Sequence, residues 1–224
     1  MHFLCLHGMG TNSKVFESQT AALRYALGDH HTYEFVEGVM KTEIAPDLKG
    51  IFSENDQYFQ YFDVDDAPSC RKAASDLEHF IAAEGPFDGV LAFSQGAALA
   101  ATLMAQRWQR DPVAEAADPI FKCAIFFGAG LPCDPASLQG EHPQGLSAKL
   151  HGEVIHVPTT HVWGQKDPSP YPPMLADLCK SELRQVYIHE GGHGIPGLQN
   201  GEALRESVRV IQRSISLAKR ASGA

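Results

Sequence analysis

The sequence predicts an α/β fold with a mainly parallel sheet and helices on both faces. Short apolar runs alternate with helical patterns along the whole chain, which is the order that repeated strand, helix and strand units produce. The run at residues 121–127 is apolar at nearly every position, as in a strand buried on both faces. The chain has 224 residues, 44% of them hydrophobic, with no internal repeat or linker. We therefore expect a single domain over residues 1–224.

The first half of the chain supplies three strands and three helices. An apolar run predicts a strand at residues 3–6, which Gly8 and Gly10 end, and a helix follows at 14–27 with Ser13 as its N-cap. A second strand is predicted at 33–36. Apolar residues at helical spacing indicate a helix at 67–83, before Gly85 and Pro86. A strand at 89–93 then leads into an Ala-rich helix at 97–108.

The second half of the chain continues the alternation. Strands are predicted at 121–127, 154–163 and 186–189, where β-branched and aromatic residues cluster. Helices are predicted at 171–179 and 201–219 from their amphipathic spacing. The stretch between 131 and 152 is rich in Gly, Pro and polar residues and is expected to border the mouth of a binding site.

Residues 38–66 form an irregular segment with unusually many aromatic side chains. Loops of this length in compact domains are commonly lids or binding loops. We expect an insertion of this kind at about 38–66, with Phe52, Tyr58 and Phe59 as candidate substrate-binding residues. The alternative is that these side chains close the core beneath the loop.

Charge and composition exclude several classes of function. Eighteen Lys and Arg against 27 Asp and Glu give a net charge of −9 without a basic run, so nucleic acid is not an expected partner. The first residues, MHFLCLHG, are typical of a buried strand, so no secretory leader is expected there, and no run of about 18 apolar residues occurs. We expect a soluble cytoplasmic protein without a membrane partner. Its five scattered cysteines are expected to be reduced.

The segment around Ser94 predicts a nucleophile elbow. A strand at 89–93 runs into Ser94, Gln95 and Gly96 and then into a helix of small residues, and this arrangement holds a serine hydroxyl above the end of a sheet in the α/β-hydrolase fold. Ala92 stands where glycine is usual. The alternative interpretation is an ordinary turn between a strand and a helix.

Two later loops supply the partners that a serine nucleophile requires. A serine hydroxyl needs an imidazole base, and the imidazole needs a carboxylate that fixes its tautomer. In this fold the chain order is Ser, acid and His. Asp167 and His193 follow predicted strands in that order, at the sheet edge where ligands bind. Asp134 and Glu190 are rival carboxylates, and each proposed loop is also compatible with a simple turn.

The loop after the first strand predicts an oxyanion hole. The fold uses a backbone N–H from this loop and the N–H of the residue after the nucleophile, which are Met9 and Gln95 here. His7 is expected to brace the loop by hydrogen bonding. No HExxH motif or suitable third metal ligand occurs, and the third glycine of a dinucleotide loop is replaced by Ser13. We expect neither metal nor cofactor.

Four motifs resemble one known family. LHGMG at 6–10, AFSQGAALA at 92–100, WGQKDP at 163–168 and GGHGIP at 191–196 resemble the serine hydrolase family that includes the yeast family serine hydrolases and the human ovarian cancer-associated gene 2 protein. The resemblance extends from residue 3 to about 215, and GPFDGVLAFSQG at 85–96 is its most specific part, with Ala92 as a departure. It implies Ser94, Asp167 and His193 as the triad.

These observations favour a serine hydrolase that acts on an acyl ester or thioester. Several fungal members of the family resemble thioesterases that release a polyketide from the carrier domain of its synthase, while others resemble general esterases. The resemblance therefore implies a choice between the acyl carrier domain of a polyketide synthase and a small-molecule acyl substrate as the partner. A small-molecule carboxylesterase is the alternative within enzymes. A protein of this fold that binds its ligand with little turnover is the alternative from another class.

Overall fold

The predicted strands are present in the computed structural model, which describes residues 1–221. Six parallel strands form one sheet in the order β2-β1-β5-β6-β7-β8, and β3 pairs with β4 as an antiparallel hairpin. In chain order the strands are β1 (His2–Leu6), β2 (Thr32–Val36), β3 (Met40–Thr42), β4 (Tyr58–Gln60), β5 (Gly89–Phe93), β6 (Cys123–Phe127), β7 (Thr159–Gly164) and β8 (Arg184–His189). Of the domain expected over residues 1–224, positions 222–224 lie outside the described residues.

Residues 1–221 also contain seven α-helices. They are α1 (Ser13–Leu27), α2 (Ala67–Glu84), α3 (Gln95–Arg110), α4 (Pro112–Ala117), α5 (Ala148–His151), α6 (Tyr171–Asp177) and α7 (Gly201–Ala221). The N-cap of α1 is Asn12 and not Ser13, because the Asn12 side chain accepts the Val15 N–H at 2.8 Å. The backbone N–H and hydroxyl of Ser13 donate to the Glu37 carboxylate instead.

The helices cover both faces of the sheet. On one face, alternate strand residues such as Phe3 and Ile125 pack against α1 and α7. On the other face, the intervening residues such as Leu4 and Phe126 pack against α2 and α3. The two-residue period of a strand therefore divides its apolar run between two cores. No helix within residues 1–221 is both long enough and apolar enough to cross a bilayer.

The strand predicted at 154–163 is shorter in the structure. β7 begins at Thr159, directly after Pro158, which has no N–H for a strand ladder. The amides of Val154 and Ile155 donate to the Leu178 carbonyl oxygen at 2.8 and 3.1 Å. These two residues therefore pair with the end of the α6 region and not with the sheet.

The irregular segment at 38–66 folds against the loop that follows β1. Phe59 donates its backbone N–H to the Thr11 carbonyl at 2.8 Å and accepts the Gly10 N–H at 3.0 Å. A short 3₁₀ turn at Pro46–Leu48 lies between β3 and β4. The segment is thus anchored beside the carboxyl end of β1. Its role as a lid remains a prediction.

Candidate active site

Ser94 lies in the tight turn between β5 and α3. Its backbone has φ 51° and ψ −114°, and no other non-glycine residue within 1–221 has a positive φ. Such a conformation costs about 1–3 kcal/mol and persists where the surroundings hold it. Here the Ser94 N–H donates to the Phe127 carbonyl at 3.0 Å, and the Ser94 carbonyl accepts the Gly130 N–H at 2.9 Å. The end of β6 therefore fixes the turn.

Gly96 lets helix α3 approach the end of β1. A Cβ at this position would lie 2.5 Å from the Leu6 carbonyl oxygen and 2.6 Å from that of His7, which is far inside normal contact. Ala92, two residues before the serine, is fully buried in the sheet. The turn thus needs glycine after the serine and accommodates a methyl group before it.

His193 and Asp167 lie beside Ser94 in a hydrogen-bonded row. His193 Nε2 is 3.0 Å from Ser94 Oγ, and His193 Nδ1 is 2.8 Å from Asp167 Oδ2. Because a carboxylate only accepts hydrogen bonds, Nδ1 is assigned as the donor, which leaves Nε2 free to accept the serine proton. The three side chains come from the loops after β5, β7 and β8, at one edge of the sheet.

The surroundings hold the row in place. The Asp167 side chain is 1% exposed, and its Oδ1 accepts the Ser169 N–H at 2.9 Å. The His193 ring packs against Phe93 with a centroid distance of 5.1 Å. The rival carboxylate Asp134 faces His151 instead, at 3.7 Å. The geometry thus favours Asp167 as the partner of His193.

His7 braces the loop that follows β1. Its Nδ1 lies 2.7 Å from the Gly8 carbonyl oxygen, and its Nε2 lies 2.9 Å from the Gly38 amide nitrogen and 3.0 Å from Glu37 Oε1. Partial burial acts to raise the pKa of Glu37, but contacts with His7 and Ser13 outweigh it and hold that pKa below its ordinary value. Glu37 therefore favours its charged form beside the brace.

The amides of Met9 and Gln95 remain the candidates for the oxyanion hole. Neither N–H donates to another residue within the described part of the chain. Gly8 lies against the elbow, since a Cβ there would be 3.3 Å from Ser94 Cβ. Two backbone donors without partners beside a serine are what an oxyanion hole requires.

The side chain of Gln95 has a second function that the sequence did not indicate. Its Oε1 accepts the Tyr61 N–H at 2.8 Å, and its Nε2 donates to the Phe62 carbonyl at 2.9 Å. The hydroxyl of Tyr61 in turn accepts the His7 N–H at 2.9 Å. Gln95 thereby joins the elbow to the loop after β4. A contact with a segment about 34 residues away leaves no local pattern in the sequence.

A cavity of about 640 Å³ opens over Ser94 and His193. Its walls come from the loop after β1, the loop after β4 and the segments at 130–133 and 143–145. The side chains are mostly apolar and include Phe62, Val64, Leu131, Pro132, Pro143 and Tyr171. The predicted border at 131–152 therefore contributes one wall of the cavity.

That wall is hydrogen-bonded to helix α2. The Ala67 N–H donates to the Glu141 carbonyl at 2.9 Å, and Arg71 donates to the Leu138 carbonyl at 2.6 Å. The buried, free thiols of Cys70 and Cys133 lie 2.9 Å apart at the base of the wall. These contacts hold the wall against α2.

The three predicted substrate-binding aromatics lie elsewhere. Phe52, Tyr58 and Phe59 are not among the described residues that line the cavity. Tyr58 is buried with Val15 and Leu48, and Phe52 packs against the same cluster. Phe59 lies in β4, whose backbone pairs with the loop after β1. Within the segment at 38–66, Asp47, Phe62 and Val64 line the cavity instead, because the buried Tyr58 and the neighbouring Phe52 pack beneath the loop.

The chain is similar in sequence to known serine hydrolases and esterases. A sequence model of the serine hydrolase (FSH1) family matches residues 1–203. Esterase FPY3 of Fusarium mangiferae is 42% identical over 222 residues, which cover 97% of this chain and 98% of the relative. Hydrolase phiM of a fungal species (strain ATCC 74256) is 32% identical over 198 residues, or 87% and 86% of the two chains.

Solved structures show the same fold. A carboxylesterase from Mesorhizobium loti aligns with a TM-score of 0.58 at 15% identity, covering 96% of this chain and 88% of its own. A Bacillus cereus carboxylesterase aligns with a TM-score of 0.56 at 15% identity, covering 94% and 87%. The predicted α/β-hydrolase fold, with its mainly parallel sheet, is thus confirmed.

Proposed function

This chain belongs to the FSH1 serine hydrolase family, and on that premise we propose that it cleaves acyl esters or thioesters with Ser94, His193 and Asp167 as its catalytic triad. One observation carries the assignment of the residues. The Asp167 carboxylate, the His193 imidazole and the Ser94 hydroxyl form a continuous row with contacts of 2.8 and 3.0 Å. That row is the arrangement in which an imidazole activates a serine hydroxyl.

The reaction proceeds in two halves. Ser94 Oγ attacks the acyl carbonyl while His193 Nε2 takes the hydroxyl proton, and the amides of Met9 and Gln95 stabilise the oxyanion. The tetrahedral intermediate collapses, and His193 returns the proton to the departing alcohol or thiol. Water then attacks the acyl-enzyme with His193 again as base, which releases the acid and restores Ser94. Asp167 orients the imidazole and stabilises its charged form.

The preferred substrate is a sizeable, mostly apolar acyl group, delivered as a thioester from a carrier domain. The apolar walls and the volume of the cavity support the acyl part. The family resemblance supports release of a polyketide from its synthase. The anionic chain, with a net charge of −9, would repel an acidic carrier domain. That repulsion, and the name of the esterase relative, favour a small-ester carboxylesterase as the second candidate.

A comparison of leaving groups separates the two candidates. The specificity constant is measured for matched acyl groups of two to twelve carbons, presented as oxygen esters, pantetheine thioesters and carrier-domain thioesters, and Ser94→Ala supplies the background rate. An unrelated esterase serves as the reference for intrinsic thioester reactivity. For long acyl groups, we expect the ratio of the specificity constant for the carrier thioester to that for the oxygen ester to exceed the ratio of the reference esterase about tenfold or more. Equal ratios together with a preference for acetyl or butyryl groups would leave the small-ester hydrolase.

A further inference from the structure

One carboxylate at the rim of the cavity has no role in the proposed chemistry. Asp47 lines the cavity together with Met9 and Phe62. We infer that Asp47 is a specificity determinant, which makes the enzyme discriminate against substrates that bring a negative charge into the cavity. The inference rests on the proposed function, because it concerns the substrates of the same site.

The backbone holds Asp47 in a fixed position beside the candidate oxyanion loop. Asp47 lies in the 3₁₀ turn at Pro46–Leu48. The Ala45 N–H donates to the Gly10 carbonyl at 2.8 Å, and the backbones are so close that a Cβ on Gly10 would lie 2.7 Å from the Ala45 nitrogen. On the other side of Asp47, Leu48 is buried against Val15 and Tyr58. The carboxylate is therefore carried at the cavity rim by a turn that is anchored at both ends.

The charge of Asp47 is not balanced locally. Its carboxylate forms no ion pair or side-chain hydrogen bond with the described residues 1–221. No Lys or Arg is found among the described residues that line the cavity. The other lining carboxylate, Asp167, is buried and occupied by His193 and Ser169. Asp47 is therefore the one carboxylate among the described lining residues that has no side-chain partner.

The apolar walls of the cavity also disfavour a negatively charged substrate. The walls formed by Phe62, Val64, Leu131 and Pro143 offer few hydrogen bonds to a substrate carboxylate, so transfer of that group from water is unfavourable. This penalty is independent of Asp47. The coulombic part belongs to Asp47 and is on the order of threefold to tenfold for two charges several ångströms apart in a partly solvated cavity. Removing the Asp47 charge should abolish the coulombic part alone.

The test compares two isosteric substrates. The mono-4-nitrophenyl ester of adipic acid carries a carboxylate, and the ester of its primary amide is neutral at the same length. Specificity constants are measured at pH 7.5 and low ionic strength for the native enzyme, Asp47→Asn and the control Asp56→Asn. Asp56 is exposed on the same segment, outside the residues that line the cavity. Its replacement by Asn changes the net charge by the same amount as Asp47→Asn.

We expect Asp47→Asn to raise the ratio of the specificity constant for the acid ester to that for the amide ester about threefold to tenfold. The gain should shrink at 0.5 M salt, because screening shortens the reach of surface charges. Asp56→Asn should leave the ratio within about 1.5-fold of the native value. Equal ratios in both variants, with good turnover of the amide ester, would refute the inference and leave the proposed function standing. Turnover of neither ester by the native enzyme would refute both.

Discussion

Replacing Gln95 by leucine tests how the loop after β4 is held against the elbow. The Gln95 side chain is 6% exposed and bonds the Tyr61 amide at 2.8 Å and the Phe62 carbonyl at 2.9 Å. Leucine has a similar volume but can form neither bond. The backbone N–H of residue 95, a proposed oxyanion donor, is retained. The substitution therefore separates the side chain from the backbone.

The loss of stability in Gln95→Leu comes from the Tyr61 N–H and the Phe62 carbonyl, which lose their hydrogen-bond partner. Both hydrogen bonds are buried, and each unpaired buried group costs about 1–3 kcal/mol. We expect Gln95→Leu to lower the free energy of unfolding by about 2–6 kcal/mol, a large share of the roughly 5–15 kcal/mol of a typical domain. Because Phe62 lines the cavity, the KM for long acyl esters should rise more than kcat falls.

Urea unfolding monitored by circular dichroism measures this change. Gln109→Leu is the matched control, because Gln109 is exposed on the same helix, and it should alter stability by less than about 0.5 kcal/mol. A loss below about 1 kcal/mol in Gln95→Leu would show that the two bonds do not hold the loop.

Three further substitutions probe the elbow, the triad and a buried histidine. Gly96→Ala should remove more than about 90% of activity and cost about 1–3 kcal/mol, because its methyl would meet the Leu6 carbonyl 2.5 Å away; native-like turnover would refute this. Asp167→Asn should lower kcat by several orders of magnitude through the wrong His193 tautomer, and a tenfold or smaller loss would contradict the assigned role. Burial lowers the pKa of His161 to about 3, so the unfolded chain gains the proton first as pH falls below about 6.5. Because of this histidine, the free energy of unfolding should fall by roughly 2 kcal/mol as the pH is lowered from 7.5 to 5. Urea titrations at both pH values should not show this loss in His161→Phe.

Short motifs were enough to predict that three candidate side chains lie at the same edge of the sheet. Ser94, Asp167 and His193 each follow a strand in the order that the fold requires, and the structure brings them within hydrogen-bonding distance. Gly96 was predicted as part of the turn, and its backbone makes the close approach to Leu6 and His7. Local sequence suffices in these cases because the end of a strand and the turn after it determine where the side chain lies.

Contacts between distant segments could not be read from the sequence. The hydrogen bonds from Gln95 to the loop after β4 join backbone groups that no motif marks. Phe52, Tyr58 and Phe59 were assigned to substrate because the segment is aromatic, but the hairpin packs the buried Tyr58 beneath the loop. Without a clear period, composition alone does not distinguish the core side of a segment from its cavity side.

Covalent labelling of Ser94 tests the central claim most directly. A fluorophosphonate reacts with a serine that a neighbouring imidazole activates, and intact-mass analysis with peptide mapping identifies the modified residue. We predict one adduct, located on Ser94, formed in proportion to the loss of esterase activity, absent from Ser94→Ala and formed far more slowly in His193→Ala. An adduct on another residue, or equal labelling rates in the native enzyme and His193→Ala, would contradict an activated Ser94.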